Sequence, residues 1–446
     1  MVTVHRCILT SLCIAATICC HSEAAESAQE RKEAKAQFTA TTVPGRVAVK
    51  QSKMLRQWLA DGTLGGEEEI VFCFRIHGKD HWYGNFAYYS AEMPVPKERF
   101  FKKEDGLLWA YGEGGALCKL NLRTGKVTVL LHDERGGFRD PHVHYDGRKI
   151  LFSYRPGGTH NYHLYEINVD GTKLRRLTDG PDDDFEAVYL PDDSIVFVSG
   201  RSHRFVNCFY TRVSTLYRMN GDGSNIHPLS SNVEHDNTPW VLPDSRVIYM
   251  RWEYVDRSQL DYHHLWTMAQ DGSGQSIYYG NQHAGTAMLD AKPIPGTGKI
   301  IASFNPKHGR PEHMGALTIV DPGRGPDAPE GAARLVKGFF RDPYPITEDA
   351  FLAVGVPGMA VIDGKGQIEY IYRLKGSNGQ MTCHEPRLIR ARPRELLHAP
   401  RTDPRVVYHG ARAGNRAGRT RRIGLFRGAR LAVPVLCCIG RKQHVG

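Results

Sequence analysis

One phrase recurs three times between Asp140 and Gly272, and it restricts the fold more than any other feature of the chain. The first copy opens Asp140-Pro141-His142-Val143, turns at Asp146-Gly147, and continues through the β-rich run 149–155. It then passes through the alternating run 163–169 to a second turn at Asp170-Gly171. The second opens Glu186-Ala187, turns at Pro191-Asp192, and repeats both runs at 195–201 and 216–220, ending in Asp222-Gly223. The third opens Thr238-Pro239-Trp240, turns at Pro243-Asp244, and repeats them at 247–251 and 264–268, ending in Asp271-Gly272. The period is about 45 to 50 residues, which belongs to propeller blades and related arrays.

Asp-Gly between alternating apolar runs is a hairpin signal, because glycine tolerates positive φ. Each copy therefore reads as a four-stranded antiparallel blade with strands A to D. A single blade cannot bury both faces of its sheet, whereas several packed radially can. The predicted fold class is all-β, a six-bladed β-propeller. Residues 70–75 supply a B strand of a first blade that has no A strand before it, and an aromatic insertion follows (His81-Trp82-Tyr83, Tyr88-Tyr89). Two degenerate copies follow the clear ones, opening at Asp290-Ala291 and at Asp342-Pro343. Glu385-Pro386-Arg387-Leu388-Ile389 then repeats the start of an A strand. It is expected to supply the missing inner strand of the first blade, closing the ring and removing sheet edges.

The flanks differ in texture. Residues 1–25 read as an export signal, with Arg6 before an apolar stretch and Ser22-Glu23-Ala24 as a cleavage site. Residues 26–66 read as a polar leader with one short amphipathic helix within 47–60, its apolar positions being Val49, Leu55, Trp58 and Leu59. The propeller is assigned to 67–391. From Arg392 onward there are 12 Arg and one Lys against Glu395 and Asp403, a net of +11. The whole chain is +10, so everything before Arg392 sums to −1. This basic tail, 392–446, shows no period and is expected to be a solvated or aberrant extension rather than a nucleic-acid arm. No apolar run reaches the roughly 20 residues that span a bilayer. Cys73, Cys118, Cys208 and Cys383 fall outside the flanks. Export would permit a disulfide involving Cys383, and buried free thiols satisfy the spacing equally well.

In such a blade the A strands start on the face where the B–C loops lie, with the Asp-Gly turns opposite. Asp140, Glu186, Thr238, Asp290, Asp342 and Glu385 hold equivalent positions there, one per blade, and five of the six are carboxylates. A ring of this kind at a channel mouth attracts a cation or a basic group; the alternative is that each acid caps a loop through backbone N–H groups. The B strands end in Arg75, Arg155, Arg201 and Arg251 on the same face, and the loops add histidines, His308 and His313 among them. Candidate ligand-binding residues are therefore Asp140, His142, Glu186, His235, Asp236, Arg251, His264, Asp290, Asp342 and Glu385. Asp140, His142, His235 and Asp290 have the donor chemistry of a divalent-cation site. No other cofactor is expected. There is no Gly-x-Ser-x-Gly nucleophile elbow and no phosphate-binding Gly-Lys-Ser/Thr loop.

The Asp-Gly and Leu-Tyr-x-Met grammar resembles TolB-type, WD-like propeller repeats. Arg139-Asp140-Pro141, His235-Asp236-Asn237-Thr238-Pro239-Trp240, residues 251–259 and Asp261-Tyr262-His263-His264-Leu265-Trp266 resemble exported planctomycete proteins related to the hydrazine synthase alpha subunit. That family implies a six-bladed propeller followed by domains carrying c-type haem. No Cys-x-x-Cys-His occurs in this chain, so covalent haem is not expected and hydrazine chemistry does not carry over. Two functions fit. The first is an exported, periplasmic or extracellular propeller that binds a protein or small ligand through its loop face, with no nucleic acid involved. The second is a metal-assisted enzyme on a TolB-like propeller, such as a polysaccharide lyase.

Overall fold

A computed structural model describes residues 52–76, 111–207, 211–306, 314–373 and 381–402. The export signal, the aromatic insertion, Val49, Cys208, His308, His313 and the tail beyond Thr402 lie outside these residues. The regular structure of the described residues is mostly antiparallel β-sheet. The second sheet shows the pattern: β4 (Gly137–Val143), β5 (Lys149–Arg155), β6 (His163–Asn168) and β7 (Arg175–Arg176) pair in sequence order. β8 (Asp184–Tyr189), β9 (Ile195–Ser199), β10 (Thr215–Met219) and β11 (His227–Pro228) repeat it, as do β12 (Asp236–Val241), β13 (Val247–Trp252), β14 (Tyr262–Met268) and β15 (Ser276–Tyr279).

The degenerate copies share a strand. β16 (Thr286–Pro293), β17 (Ile300–Pro306) and β18 (Gly315–Val320) lead into the 16-residue β19 (Ala332–Thr347). Residues 332–340 of β19 pair with β18, and residues 341–347 pair with β20 (Ala350–Val354). β21 (Gly358–Asp363) and β22 (Ile368–Arg373) complete that sheet. The fourth strand of the fifth unit is thus continuous with the first of the sixth.

β1 (Glu69–Ile76) has the expected inner partner. It lies between β2 (Gly115–Asn121), followed by β3 (Val127–Asp133), and the C-terminal β23 (Met381–Leu388), with Ile70 opposite Leu388 and Cys73 opposite His384. Cys73 and Cys383 are buried free thiols, and burial pushes both above their ordinary range, which disfavours the reactive thiolate.

The apolar core lies between consecutive sheets. Tyr145, Leu151 and Leu164 of the second sheet meet Tyr189, Phe197 and Met219 of the third. Phe138 and Phe152 of the second meet Val71 and Leu117 of the first. Ile301 and Leu317 meet Phe351 and Ala360. Helix α1 (Lys53–Ala60), capped by the Ser52 hydroxyl accepting from the Leu55 N–H, buries Leu55 and Trp58 among Phe72, Leu352 and Ile371. The leader helix therefore joins the first and last sheets. Its start is fixed further by the Met54 N–H donating to Glu369 at 3.0 Å.

The basic segment begins differently from expectation. Residues 391–402 do not run free but cross the turn side of three sheets. The Arg392 N–H donates to the Tyr145 carbonyl, its guanidinium stacks 3.9 Å from the Tyr145 ring centroid, and Tyr145 donates to Glu395. Arg394 bridges Pro191 and Asp193 at 2.7 Å each, Ser245 donates to the Leu396 carbonyl, and the Arg401 and Thr402 N–H groups donate to Asp271. Exposed turn carboxylates give cationic residues something to hold, which explains why this stretch is ordered despite lacking a hydrophobic period.

Candidate functional site

The six aligned positions share one backbone state. Asp140 (φ 58°), Glu186 (50°), Thr238 (51°), Asp290 (61°), Asp342 (54°) and Glu385 (51°) are all left-handed. That conformation is uncommon for any residue with a side chain, and for β-branched threonine it is a true outlier. The pairing register shifts around each of them, so each inner strand carries a bulge there. The bulge turns the side chain inward and leaves the residue's own N–H without a ladder partner.

Neighbouring side chains take up those N–H groups. Glu186 N–H donates to Asp140 Oδ2 (3.0 Å), Thr238 N–H to Glu186 Oε2 (2.6 Å), and Asp290 N–H to Thr238 Oγ1 (3.2 Å). Glu385 N–H donates to Asp342 Oδ2 (3.0 Å) and Asp140 N–H to Glu385 Oε2 (3.2 Å). Asp140, Glu186, Thr238, Asp342 and Glu385 thus each cap the bulge of the next inner strand, which is the loop-capping alternative realised between sheets rather than within one.

The carboxylates also have cationic neighbours. Arg139 reaches Asp140 (2.7 Å) and Glu186 (3.3 Å), Arg75 reaches Glu385 (2.9 Å), Lys292 reaches Asp290 (3.0 Å), and Arg341 lies 3.6 Å from Asp342. Burial nonetheless dominates. It raises Glu186 and Glu385 to about 8, helped by the charge of nearby Asp140, and raises Asp342 to about 6, helped by Asp290. These three carboxyl groups bind protons more tightly than free ones do.

Between the inner strands lies a cavity of about 40 Å³, lined by the six ring residues with Arg75, Arg139, His142, Trp240 and Arg387. That space exceeds the ~10–15 Å³ one water needs and is an order of magnitude below the ~300 Å³ of an organic-ligand pocket. It accommodates waters or one small ion.

The predicted site residues divide. Asp140, His142, Glu186, Asp290, Asp342 and Glu385 meet at the cavity. His235, Asp236, Arg251 and His264 do not line it. Asp236 and Arg251 form a two-pronged pair across β12 and β13, at 2.7 and 2.8 Å. The His235 Nδ1 accepts from the Ser214 N–H at 3.1 Å, and His264 lies 3.1 Å from Glu253. His264 is the leading cause holding Glu253 down to about 2. Of the proposed metal quartet, three line the cavity and His235 does not. The donors that come within 4.8 Å of one another are Asp342, His384 and Glu385, and their carboxylates are already engaged in the capping relay. Lys292, Trp240 and Arg387 were not singled out from sequence. They stand two residues beyond ring positions, and strand alternation from Asp290, Thr238 and Glu385 would have found them.

No family model matches the chain. A stretch of 69 residues, 15% of the chain, is 35% identical to hydrazine synthase subunit alpha of Kuenenia stuttgartiensis, covering 8% of that protein. The solved hydrazine synthase of Kuenenia stuttgartiensis superposes with a TM-score of 0.57 at 18% identity, over 74% of this chain and 48% of that one. The chain resembles the hydrazine synthase alpha subunit in sequence and in fold. It spans less than half of the solved hydrazine synthase chain. TolB of Acinetobacter baumannii is similar over 73% of this chain and 69% of its own, with a TM-score of 0.46 and 12% identity.

Proposed function

We propose that the chain is an exported six-bladed propeller, closed by β23 beside β1, that serves as a binding or scaffold module related to the hydrazine synthase alpha subunit without its haem chemistry. The carrying observation is that four of the five ring acids are committed to capping backbone N–H groups around a cavity too small for an organic substrate. Recognition of a protein or sizeable ligand then falls to the loops outside the ring. Val233, Val255, Leu260 and Val356 are exposed on loops of that side, at 41% or more, and apolar groups presented on a rigid sheet scaffold favour association. No helix among the described residues is long and apolar enough to cross a membrane.

The test is cross-linking mass spectrometry on the full chain expressed in its native host with its signal. Links concentrated near residues 231–235 and 253–261, in the exported fraction, support the reading. Links confined to the Asp-Gly turns, or retention in the cytoplasm, overturn it.

A further inference from the structure

The inner strands carry a second tier, two residues past the ring, with chemistry opposite to the first. At this tier stand His142, Trp240, Lys292, Tyr344 and Arg387. Trp240 gathers three of them: the His142 ring lies 4.9 Å from its centroid, Lys292 Nζ 5.0 Å and the Arg387 guanidinium 5.5 Å.

Two buried donors in this group lack an acceptor. The His142 Nε2 lies 3.4 Å from Arg392 Nη2. A guanidinium only donates, so Nε2 accepts. Burial, with Arg392, Arg387 and Lys292 nearby, holds His142 well below its usual range and therefore neutral. The single ring proton of a neutral imidazole with an accepting Nε2 sits on Nδ1. That Nδ1–H has no partner among the described residues, and neither has the Arg387 Nε–H. The two residues are only 4% and 5% exposed. Buried donors are nearly always satisfied, and orphans call for a bound group. Both line the 40 Å³ cavity.

We propose that the tier between His142, Trp240 and Arg387 binds one small monovalent inorganic anion of halide size. Both orphan groups donate, so what they lack is an acceptor. Arg387, Lys292 and Arg392 stand on this side, and across the cavity Asp140, Glu186, Asp342 and Glu385 accept from backbone N–H groups while Asp290 is paired with Lys292. The cavity volume sets the size limit. The site is separate from the loop face and stands whether or not that face docks a partner.

Bromide and iodide are the probes, with the full chain at constant ionic strength maintained by gluconate. Iodide should quench Trp240 saturably, and Trp240→Phe should abolish the saturable component. Arg387→Met, which keeps the stem and removes the donor, should weaken half-saturation at least tenfold. Crystals grown in bromide should show an anomalous peak between His142 and Arg387, a measurement on unmutated protein that decides the matter should Arg387→Met fail to fold. Purely linear quenching, together with water and no anomalous peak in the cavity, overturns the proposal.

Discussion

Asp140→Asn isolates what the ring acids do. Asparagine tolerates the left-handed conformation at φ 58° as readily as aspartate, so the backbone cost is near zero and the change is one of charge. Asp140 Oδ2 accepts from Arg139 Nε at 2.7 Å and from the Glu186 N–H at 3.0 Å. An amide oxygen in that place can still accept both, but without the charge that strengthens them. The Arg139 side chain is 4% exposed and would keep Glu186, at 3.3 Å, as a charged neighbour. Breaking a buried pair costs about 3–5 kcal/mol. Removing a negative charge also relieves Glu186 and Glu385, both pushed up in part by Asp140, an offset of about 1 kcal/mol per pKa unit recovered. The net expectation is a loss of about 2–3 kcal/mol. At ~2.1 cal/mol/K per residue over ~300 residues, this lowers Tm by about 3–5 °C. Urea unfolding at unchanged m would measure the same loss. An unchanged midpoint, combined with a loss of bound metal or ligand, would refute the capping argument and return the ring to the role of a ligand site.

Four further outcomes follow from the same structure. Glu186 and Glu385 titrate near 4.5 when unfolded and about 8 when folded, so the folded chain holds extra protons and stability falls as pH rises through that window; urea midpoints at pH 5.5 and 8.5 should show the fall, and Glu186→Gln should flatten it. Asp140→Asn combined with Asp290→Asn should leave metal content by mass spectrometry unchanged while lowering Tm further, and a drop in stoichiometric divalent metal would contradict this. A chain ending at Arg390 should melt below one ending at Thr402, because the shorter chain uncovers Tyr145 and removes the Arg394 contact to Asp193 and the Arg401 and Thr402 N–H contacts to Asp271; equal melting temperatures would mean the segment contributes nothing. Gly147→Ala should destabilise the fold, since its Cβ would sit 2.7 Å from the Ala391 nitrogen and 2.9 Å from the Arg390 carbonyl carbon at a φ of +71°, and Gly147→Ala in a chain truncated at Ile389 should lose the steric part of that cost.

The repeat in the sequence exposed the sheets because its two signals, alternation and Asp-Gly, are local. The left-handed backbone at the ring was not legible in the same way. Asp140 and Asp290 are residue types that tolerate positive φ, but Glu186, Glu385 and Thr238 are not, and only their alignment with the aspartates hints at a shared conformation. The partner of each acid was hidden as well. A carboxylate at 140 caps residue 186, and one at 385 caps residue 140, so the hydrogen-bond partners lie one repeat away in space and dozens to hundreds of residues away in sequence. The basic segment illustrates the reverse problem. Its charge suggested solvent, yet Arg394 holds Asp193 and the backbone N–H groups of Arg401 and Thr402 hold Asp271, contacts between turns and a distant segment that no local pattern announces.

These long-range links explain why five acids persist where one cap per sheet would serve locally. A bulge that caps itself fixes one strand, whereas a bulge capped by its neighbour fixes the angle between two sheets. Thr238 shows that charge is not required for this: its hydroxyl accepts the Asp290 N–H at 3.2 Å in the place of a carboxylate. The acids must then have a further reason to be ionisable, and the cations Arg139, Arg75 and Lys292 supply it. A ring of threonines could close the same hydrogen bonds but would leave those cations buried without counter-charge, which is the costlier state.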